Sequence, residues 1–272
     1  MGAAGVGSGL QLRRTKLIRE VRVIMPRMQP DADDVAAEFE RHVDAVIFDL
    51  DGVLVHTDEL HYLAWQRLAD EEGIHFDRSV NDRLRGVSRM DSLYAIVDHG
   101  RCRDLYTEEE LVALATRKNN FYRKSLEMLR PDDLADGSLD IIRALRDRDV
   151  RVAIASSSRN AHTIVDRLRI RHHFDVVLGG NDITRSKPDP EVFLMSAERV
   201  ACDPARCMVI EDAPAGVEAA LRAGMRVVGI GDADRLPGAE AWFCAIGEVP
   251  VEVLIGPPGA GATSLASPGS QG

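Results

Sequence analysis

Asp44-Ala45-Val46-Ile47-Phe48-Asp49-Leu50-Asp51-Gly52-Val53-Leu54-Val55 is the stretch whose reading decides the fold. Its apolar run, Ala45 to Phe48, is bounded by charge and reads as a parallel strand buried on both faces. Asp49 and Asp51 follow at the strand's carboxyl end, where open α/β sheets carry their active sites. Residues two apart in a strand share a face, so the spacing aims both carboxylates at one centre. Gly52 gives the chain freedom to turn away sharply. Such a pair suits phosphoryl transfer. Asp49 can attack phosphorus, Asp51 can act as general acid and base, and two adjacent acids need a cation such as Mg²⁺. Two solvated acids at a strand end would look the same from spacing alone. A calcium-binding EF-hand loop fits poorly, because Val53-Leu54-Val55 stand where its acids belong.

Beyond this strand the pattern turns helical. Thr57 precedes Leu60, Leu63, Ala64 and Leu68 at helical spacing, with Gly73 as the stop. Further helices are expected over Ser79 to Leu84, Met90 to Asp98 and Thr107 to Leu129, the last opened by the capping box Thr107-Glu108-Glu109-Glu110. Residues 58–131 thus read as an all-helical insertion. From Leu134 helix and strand alternate, with strands over Val150 to Ala155, Asp175 to Leu178, Cys207 to Ile210 and Met225 to Ile230. Helices are expected over Ser138 to Asp147, Asn160 to Leu168, Pro190 to Val200 and Pro214 to Ala223. Alternation of this kind gives an α/β fold: a Rossmann-like, doubly wound parallel sheet, formed by 43–57 and 132–250, with the helical cap 58–131 inserted.

The 272 residues are 45% hydrophobic and 29% charged, an ordinary globular composition. A formal net charge of -10 argues against nonspecific nucleic-acid binding. No apolar run approaches the ~18 residues of a membrane span, and no protein partner is legible. Cys102, Cys202, Cys207 and Cys244 form no CxxC pair, which suits reduced thiols in the cytoplasm and no zinc site. Residues 1–42, Gly-rich and then basic, read as a flexible leader rather than a signal peptide, and Met25 or Met28 could be the true start. Residues 251–272 read as a disordered tail. Its Walker-like stretch from Gly256 has Ala262 where the phosphate-binding lysine belongs, so that motif is rejected.

Three more stretches bear on chemistry. Ser156-Ser157-Ser158-Arg159-Asn160 follows a strand and precedes a helix, which makes hydroxyls and N–H groups available to an anion. Lys187 in Ser186-Lys187-Pro188-Asp189-Pro190 can neutralise carboxylate and phosphoryl oxygens. Glu211 and Asp212 end a strand and can complete an oxygen site with Asp49. Singly, each also reads as a plain cap loop, a surface lysine or a charged helix start. Jointly, strand after strand delivers nucleophile, hydroxyl, cation and metal acids, and phosphoryl transfer is the reading that uses all four.

Over about 43–232 this set resembles the haloacid dehalogenase superfamily: Asp49-Leu50-Asp51-Gly52-Val53, Ser156, Lys187-Pro188-Asp189-Pro190 and Glu211-Asp212-Ala213-Pro214-Ala215-Gly216. The resemblance implies Asp49 as nucleophile, Asp51 as acid/base, and Ser156 and Lys187 as catalytic partners. It implies one Mg²⁺ per chain held by Asp49, the Asp51 carbonyl and Asp212, with Glu211 assisting. Within the superfamily the chain is most similar to the β-phosphoglucomutases, through Thr57-Asp58-Glu59-Leu60-His61 to Trp65, Arg85-Gly86-Val87-Ser88-Arg89-Met90-Asp91-Ser92, Arg117-Lys118-Asn119 and the serine loop. That similarity implies sugar-phosphate contacts at Thr57, His61, Trp65, Gly86, Val87, Ser88, Arg89, Lys118, Ser156, Ser157 and Asn160. It implies a sugar 1,6-bisphosphate as activator and intermediate between β-glucose 1-phosphate and glucose 6-phosphate. Val55-His56 before Thr57, and Arg159 in a position commonly lysine, depart from the pattern. A sugar-phosphate phosphatase and a non-catalytic binding protein are the rival expectations.

Overall fold

The computed structural model describes residues 43–84 and 86–256. The leader expected over 1–42, Arg85, and the tail with its Walker-like stretch beyond Gly256 lie outside the described residues. Strands β1 (Ala45–Phe48), β2 (Arg151–Ala155), β3 (Val176–Leu178), β4 (Cys207–Glu211), β5 (Arg226–Ile230) and β6 (Ala241–Phe243) form one sheet. Its order is β3-β2-β1-β4-β5-β6, with every neighbouring pair parallel. The chain order reverses between β1 and β4, and such a switch point opens a crevice at the strands' carboxyl ends.

Helices α1 (Asp58–Glu72), α2 (Arg78–Asn81), α3 (Arg89–His99) and α4 (Glu108–Leu126) lie between β1 and β2. After them, α5 (Ser138–Arg146), α6 (Ala161–Leu168), α7 (Glu191–Arg199) and α8 (Pro214–Arg222) alternate with the strands. Successive strand residues serve opposite faces of the sheet. Val46, Phe48, Val152, Ile154, Met208 and Ile210 meet Ile141, Ile142, Ile164 and Val165 of α5 and α6. Ala45, Ile47, Ala153 and Val209 meet Val192 and Phe193 of α7 and Val217 and Ala220 of α8. Both faces are covered, so the strands read as continuous apolar runs, and each large side chain buried this way stabilises by about 1.5–3 kcal/mol.

The inserted helices have an apolar core of their own, built on Trp65, Leu68, Leu93, Ile96, Leu111 and Ala115. Among the described residues of 58–131 there is no strand. The two linkers run side by side: Val55 bridges Leu134 antiparallel, and the Ala135 N–H donates to the Leu54 carbonyl at 2.8 Å. All described residues belong to one compact unit, Phe39–Gly272. No helix among them is long and apolar enough to cross a membrane, and all four cysteines are free thiols.

Two expectations need correction, and one strand was not foreseen. Helix over Ser79 to Leu84 is α2 followed by a 3₁₀ turn, Asp82–Leu84. Strand β6 has no sequence signal, because three residues with a partly exposed Trp242 show no periodicity; its pairing with β5 creates it. Residues 251–255, expected as the start of the disordered tail, instead form α9 (Val251–Ile255), a helical turn that buries Leu254 completely and packs against α5.

Candidate active site

The register of the central strands builds the site floor. Phe48 stands opposite Ile154 of β2 and Ile210 of β4, which levels Asp49 with Ala155 and Glu211. β1 ends at Phe48, so neither aspartate lies within the strand, and strand alternation is not what aligns them. A tight turn does this instead. The Gly52 N–H donates to the Val55 carbonyl, the Leu54 and Val55 N–H groups donate to the Leu50 carbonyl, and Asp51 bridges Val55. Gly52 sits at φ 98°, and a Cβ there would lie 2.1 Å from Asp212 Oδ2. Only glycine lets the turn and the Asp212 carboxylate approach so closely.

Lys187 comes from the loop between β3 and α7 rather than from a strand end. Its buried ammonium donates to Asp49 Oδ1, to Glu211 Oε1 at 2.7 Å and to the Ala155 carbonyl at 3.1 Å, so all three donors are engaged. Burial opposes the charged amine, but Asp49 and then Glu211 outweigh it and hold Lys187 above the usual lysine range. Burial raises Asp49 well above the usual carboxylate range, with Lys187 pulling against it. Glu211 is committed on both oxygens: Oε2 accepts the Asp212 and Ala213 N–H groups at 2.7 and 2.9 Å. A Cβ at Gly216 would stand 1.6 Å from Glu211 Oε1, so a glycine in α8 makes room for this carboxylate.

Asp51 is held by hydroxyls. Thr57 Oγ1 donates to its Oδ1, Ser156 Oγ to its Oδ2 at 3.4 Å, and the Tyr122 hydroxyl to its Oδ1 at 3.5 Å. Burial raises the Asp51 pKa and the Thr57 bond opposes that rise, a setting suited to a group that must both give and take a proton. Thr57 occupies the N-cap of α1 yet makes no capping hydrogen bond, because its hydroxyl serves Asp51. Asn160 is diverted in the same way. It stands at the N-cap of α6 without capping it, and its Nδ2 donates to Asn119 Oδ1 of α4 at 2.9 Å, joining core to insertion.

A cavity of about 520 Å³ lies between sheet and inserted helices. Asp49, Asp51, Ser156, Ser157, Asn160, Glu211 and Asp212 border it below, and His61, Trp65, Gly86, Val87, Ser88, Arg89 and Lys118 above. Thr57 and Lys187 do not line it; they stand buried behind the two aspartates. Ser88 caps α3, accepting the Asp91 N–H at 3.2 Å. Arg89 opens that helix, where the macrodipole disfavours a cation, and Arg159 across the cavity repels it further. A guanidinium kept against both effects is placed for an anion. Lys118 Nζ lies 2.9 Å from His61 Nδ1, over the rings of Trp65 and Tyr122. Burial, then Lys118, drives His61 well below the ordinary histidine range, so its imidazole is neutral.

Sequence reasoning missed two members of the site. Tyr122 packs against His61 with ring centres 3.9 Å apart and planes tilted by 34°, and reaches Asp51; its signal was its place one helical turn after Lys118. Asn119 was visible only as the neighbour of Lys118. Ser157 Oγ is buried with no hydrogen-bond partner, which suits a ligand contact.

The residues fit a divalent cation. Asp49, Glu211 and Asp212 each offer a carboxylate oxygen within 4.8 Å of the others, a hard-oxygen set of the kind Mg²⁺ takes. Since Lys187 and two N–H groups already occupy Glu211, Asp49 and Asp212 are the carboxylates that would hold the ion, and Glu211 would hold Lys187 and the loop.

Residues 43–224 match the model of the haloacid dehalogenase-like hydrolase family. A β-phosphoglucomutase of Bacillus subtilis is 40% identical over 210 residues, spanning 77% of this chain and 93% of that protein. A fructose-1-phosphate phosphatase of Escherichia coli is 30% identical, spanning 71% of this chain and 98% of that protein. The crystal structure of a Clostridium difficile β-phosphoglucomutase superposes with a TM-score of 0.74 at 35% identity, covering 77% of this chain and 94% of that one.

Proposed function

Because this chain belongs to the haloacid dehalogenase-like hydrolase family, we propose that it interconverts β-glucose 1-phosphate and glucose 6-phosphate by phosphoryl transfer through Asp49. The observation that carries the reading is a cavity with two cationic ends. Lys187 backs Asp49 at one end, and Arg89 faces Arg159 at the other, as a molecule with two phosphates requires. The relatives named β-phosphoglucomutase support the choice of sugar.

In this mechanism Asp49 attacks the phosphorus of the bound phosphate and becomes an aspartyl-phosphate. Asp51, oriented by Thr57 and Ser156, gives a proton to the departing sugar oxygen and takes it from the hydroxyl that attacks next. Lys187 keeps the nucleophile oriented and offsets charge on the phosphoryl oxygens. Asp49 and Asp212 would hold a Mg²⁺, which would supply further charge stabilisation to the transferring phosphoryl group. The bisphosphate reverses in the cavity, with Arg89, Ser157 and Asn160 holding whichever phosphate is distant from Asp49. The inserted helices act as a cap whose closure excludes water, the competing acceptor. Phosphate release is the second reading, favoured by the phosphatase relatives. A non-catalytic binding role has against it that Asp49, Asp51, Lys187 and Asp212 are all retained.

The deciding experiment is a ³¹P NMR time course with β-glucose 1-phosphate, Mg²⁺ and a trace of β-glucose 1,6-bisphosphate, repeated with a chelator. Mg²⁺-dependent glucose 6-phosphate with little free phosphate is the expected result. Free phosphate as the main product would make the protein a phosphatase, and no turnover with any sugar phosphate would revive the binding role.

A further inference from the structure

Arginine outnumbers lysine in this chain by 30 to 4, the lysines being Lys16, Lys118, Lys124 and Lys187. Guanidinium stays protonated in proteins and is a poor nucleophile, whereas a buried amine loses its proton readily. A chain that relies on arginine nearly everywhere nonetheless keeps amines at 118 and 187, both buried beside the cavity. Lys187 is locked by two carboxylates and a carbonyl. Lys118 has the opposite surroundings. Among the described residues no carboxylate forms an ion pair with it. The groups that face it are His61 and Trp65 of α1, Arg89 of α3, Tyr122 one turn along α4 and, at longer range, Asp51. Burial first, and Arg89 second, bring its pKa to about 7.

We propose that Lys118 is a carbonyl-reactive amine: a phosphorylated aldehyde entering the cavity condenses on its Nζ as a Schiff base, which makes this residue a site of covalent modification. The cavity, at about 520 Å³, has room for such a molecule. Arg89 and the unpartnered hydroxyl of Ser157 are at hand for its phosphate. In the reaction the neutral amine's lone pair bonds to the carbonyl carbon, and proton transfer from nitrogen to oxygen gives a carbinolamine. Loss of water then leaves C=N. His61 Nδ1, 2.9 Å from the amine, accepts its N–H when the imidazole carries its own proton on Nε2, and so orients the attacking nitrogen. Cyclic sugar phosphates have no free carbonyl and do not react. The open-chain form of an aldose phosphate has both the aldehyde and the phosphate and is captured. The inference needs only cavity, amine and phosphate contacts, and stands whichever phosphoryl-transfer reaction the protein performs.

The test treats the full-length protein near neutral pH with pyridoxal 5′-phosphate, reduces the imine with borohydride, and maps the pyridoxyl group by peptide mass. The expected result is one label per chain, on Lys118, forming about tenfold or more faster than on Lys124, since each unit of lowered pKa gives about tenfold more neutral amine. Inorganic phosphate slows this labelling, and pyridoxal without its phosphate reacts more slowly. Lys118→Arg removes the label and Lys124→Arg leaves it in place. Labelling confined to Lys16, Lys124 or Lys187, or labelling of Lys118 no faster than of Lys124, overturns the proposal. Mapping on the unsubstituted protein decides this even where Lys118→Arg fails to fold.

Discussion

At the sheet's carboxyl end Lys187 is enclosed by Asp49, Glu211 and a backbone carbonyl, while on the inserted helices Lys118 is enclosed by an imidazole and two aromatic rings. Both are buried, and burial favours the neutral amine in each. Two carboxylates reverse that tendency at Lys187, which is held above its usual range; nothing reverses it at Lys118, whose pKa falls to about 7. Burial alone therefore does not say what a lysine does. The partners decide: the amine under the cavity floor stays charged, and the amine in its roof changes charge near neutral pH.

The contrast can be broken by experiment, and the largest expected effect is on catalysis at the floor. Asp49→Asn should reduce turnover by roughly 10⁴-fold or more, as loss of a covalent nucleophile does, and abolish acid-stable ³²P incorporation from labelled substrate. Full turnover in this variant would sink the aspartyl-phosphate mechanism. Lys187→Met strands two buried carboxylates and should destabilise by about 3–5 kcal/mol. Lys118→Met strands none and should cost no more than about 1 kcal/mol. Urea unfolding of the two variants side by side tests the contrast, and equal losses would erase it.

The pH dependence separates the two amines by sign. Lys118 has a folded pKa depressed from 10.5 to about 7, so the unfolded chain binds the extra proton between those values. Its penalty on stability is complete below about pH 7 and is relieved as pH rises towards 10.5. Wild type should therefore gain on Lys118→Met by up to about 1.4 kcal/mol per pH unit across that window. Lys187, with its folded pKa raised, contributes stability that is fully present below the unfolded value and lost only above it. Unfolding free energies measured at pH 7, 8, 9 and 10 check both slopes. The smallest effect is expected for Tyr122→Phe. Its bond to Asp51 is 3.5 Å long and weak, so kcat should fall by less than about tenfold, the equivalent of roughly 1.4 kcal/mol. A larger loss would show that floor and roof are coupled through this hydroxyl.

Much of this was legible along the chain. The apolar run from Ala45 to Phe48 specified a buried parallel strand, because a sheet covered on both faces needs apolar residues at successive positions. Ser156, Lys187, Glu211 and Asp212 were legible as site candidates because parallel strands all end at one edge, so the motifs that follow them gather there without long-range information. Strand β6 was not legible, since its residues are strand only by pairing with β5. Thr57 and Asn160 show the limit at the level of single side chains. Local sequence grammar reads Thr57 as a helix N-cap and Asn160 as the start of a helix, and both stand at N-caps in the structure. It cannot say that Thr57 turns to Asp51 or Asn160 to Asn119, because those partners arrive from other segments of the chain.

What the sequence determined by itself is the sheet, the helical insertion and the candidates for the reacting groups, since periodicity and residue chemistry are local properties. Only the tertiary structure decided the charge state of each group. A pKa depends on the solvent excluded and the charges brought near by distant segments, and it is in those charges that the buried Lys118 and Lys187 differ.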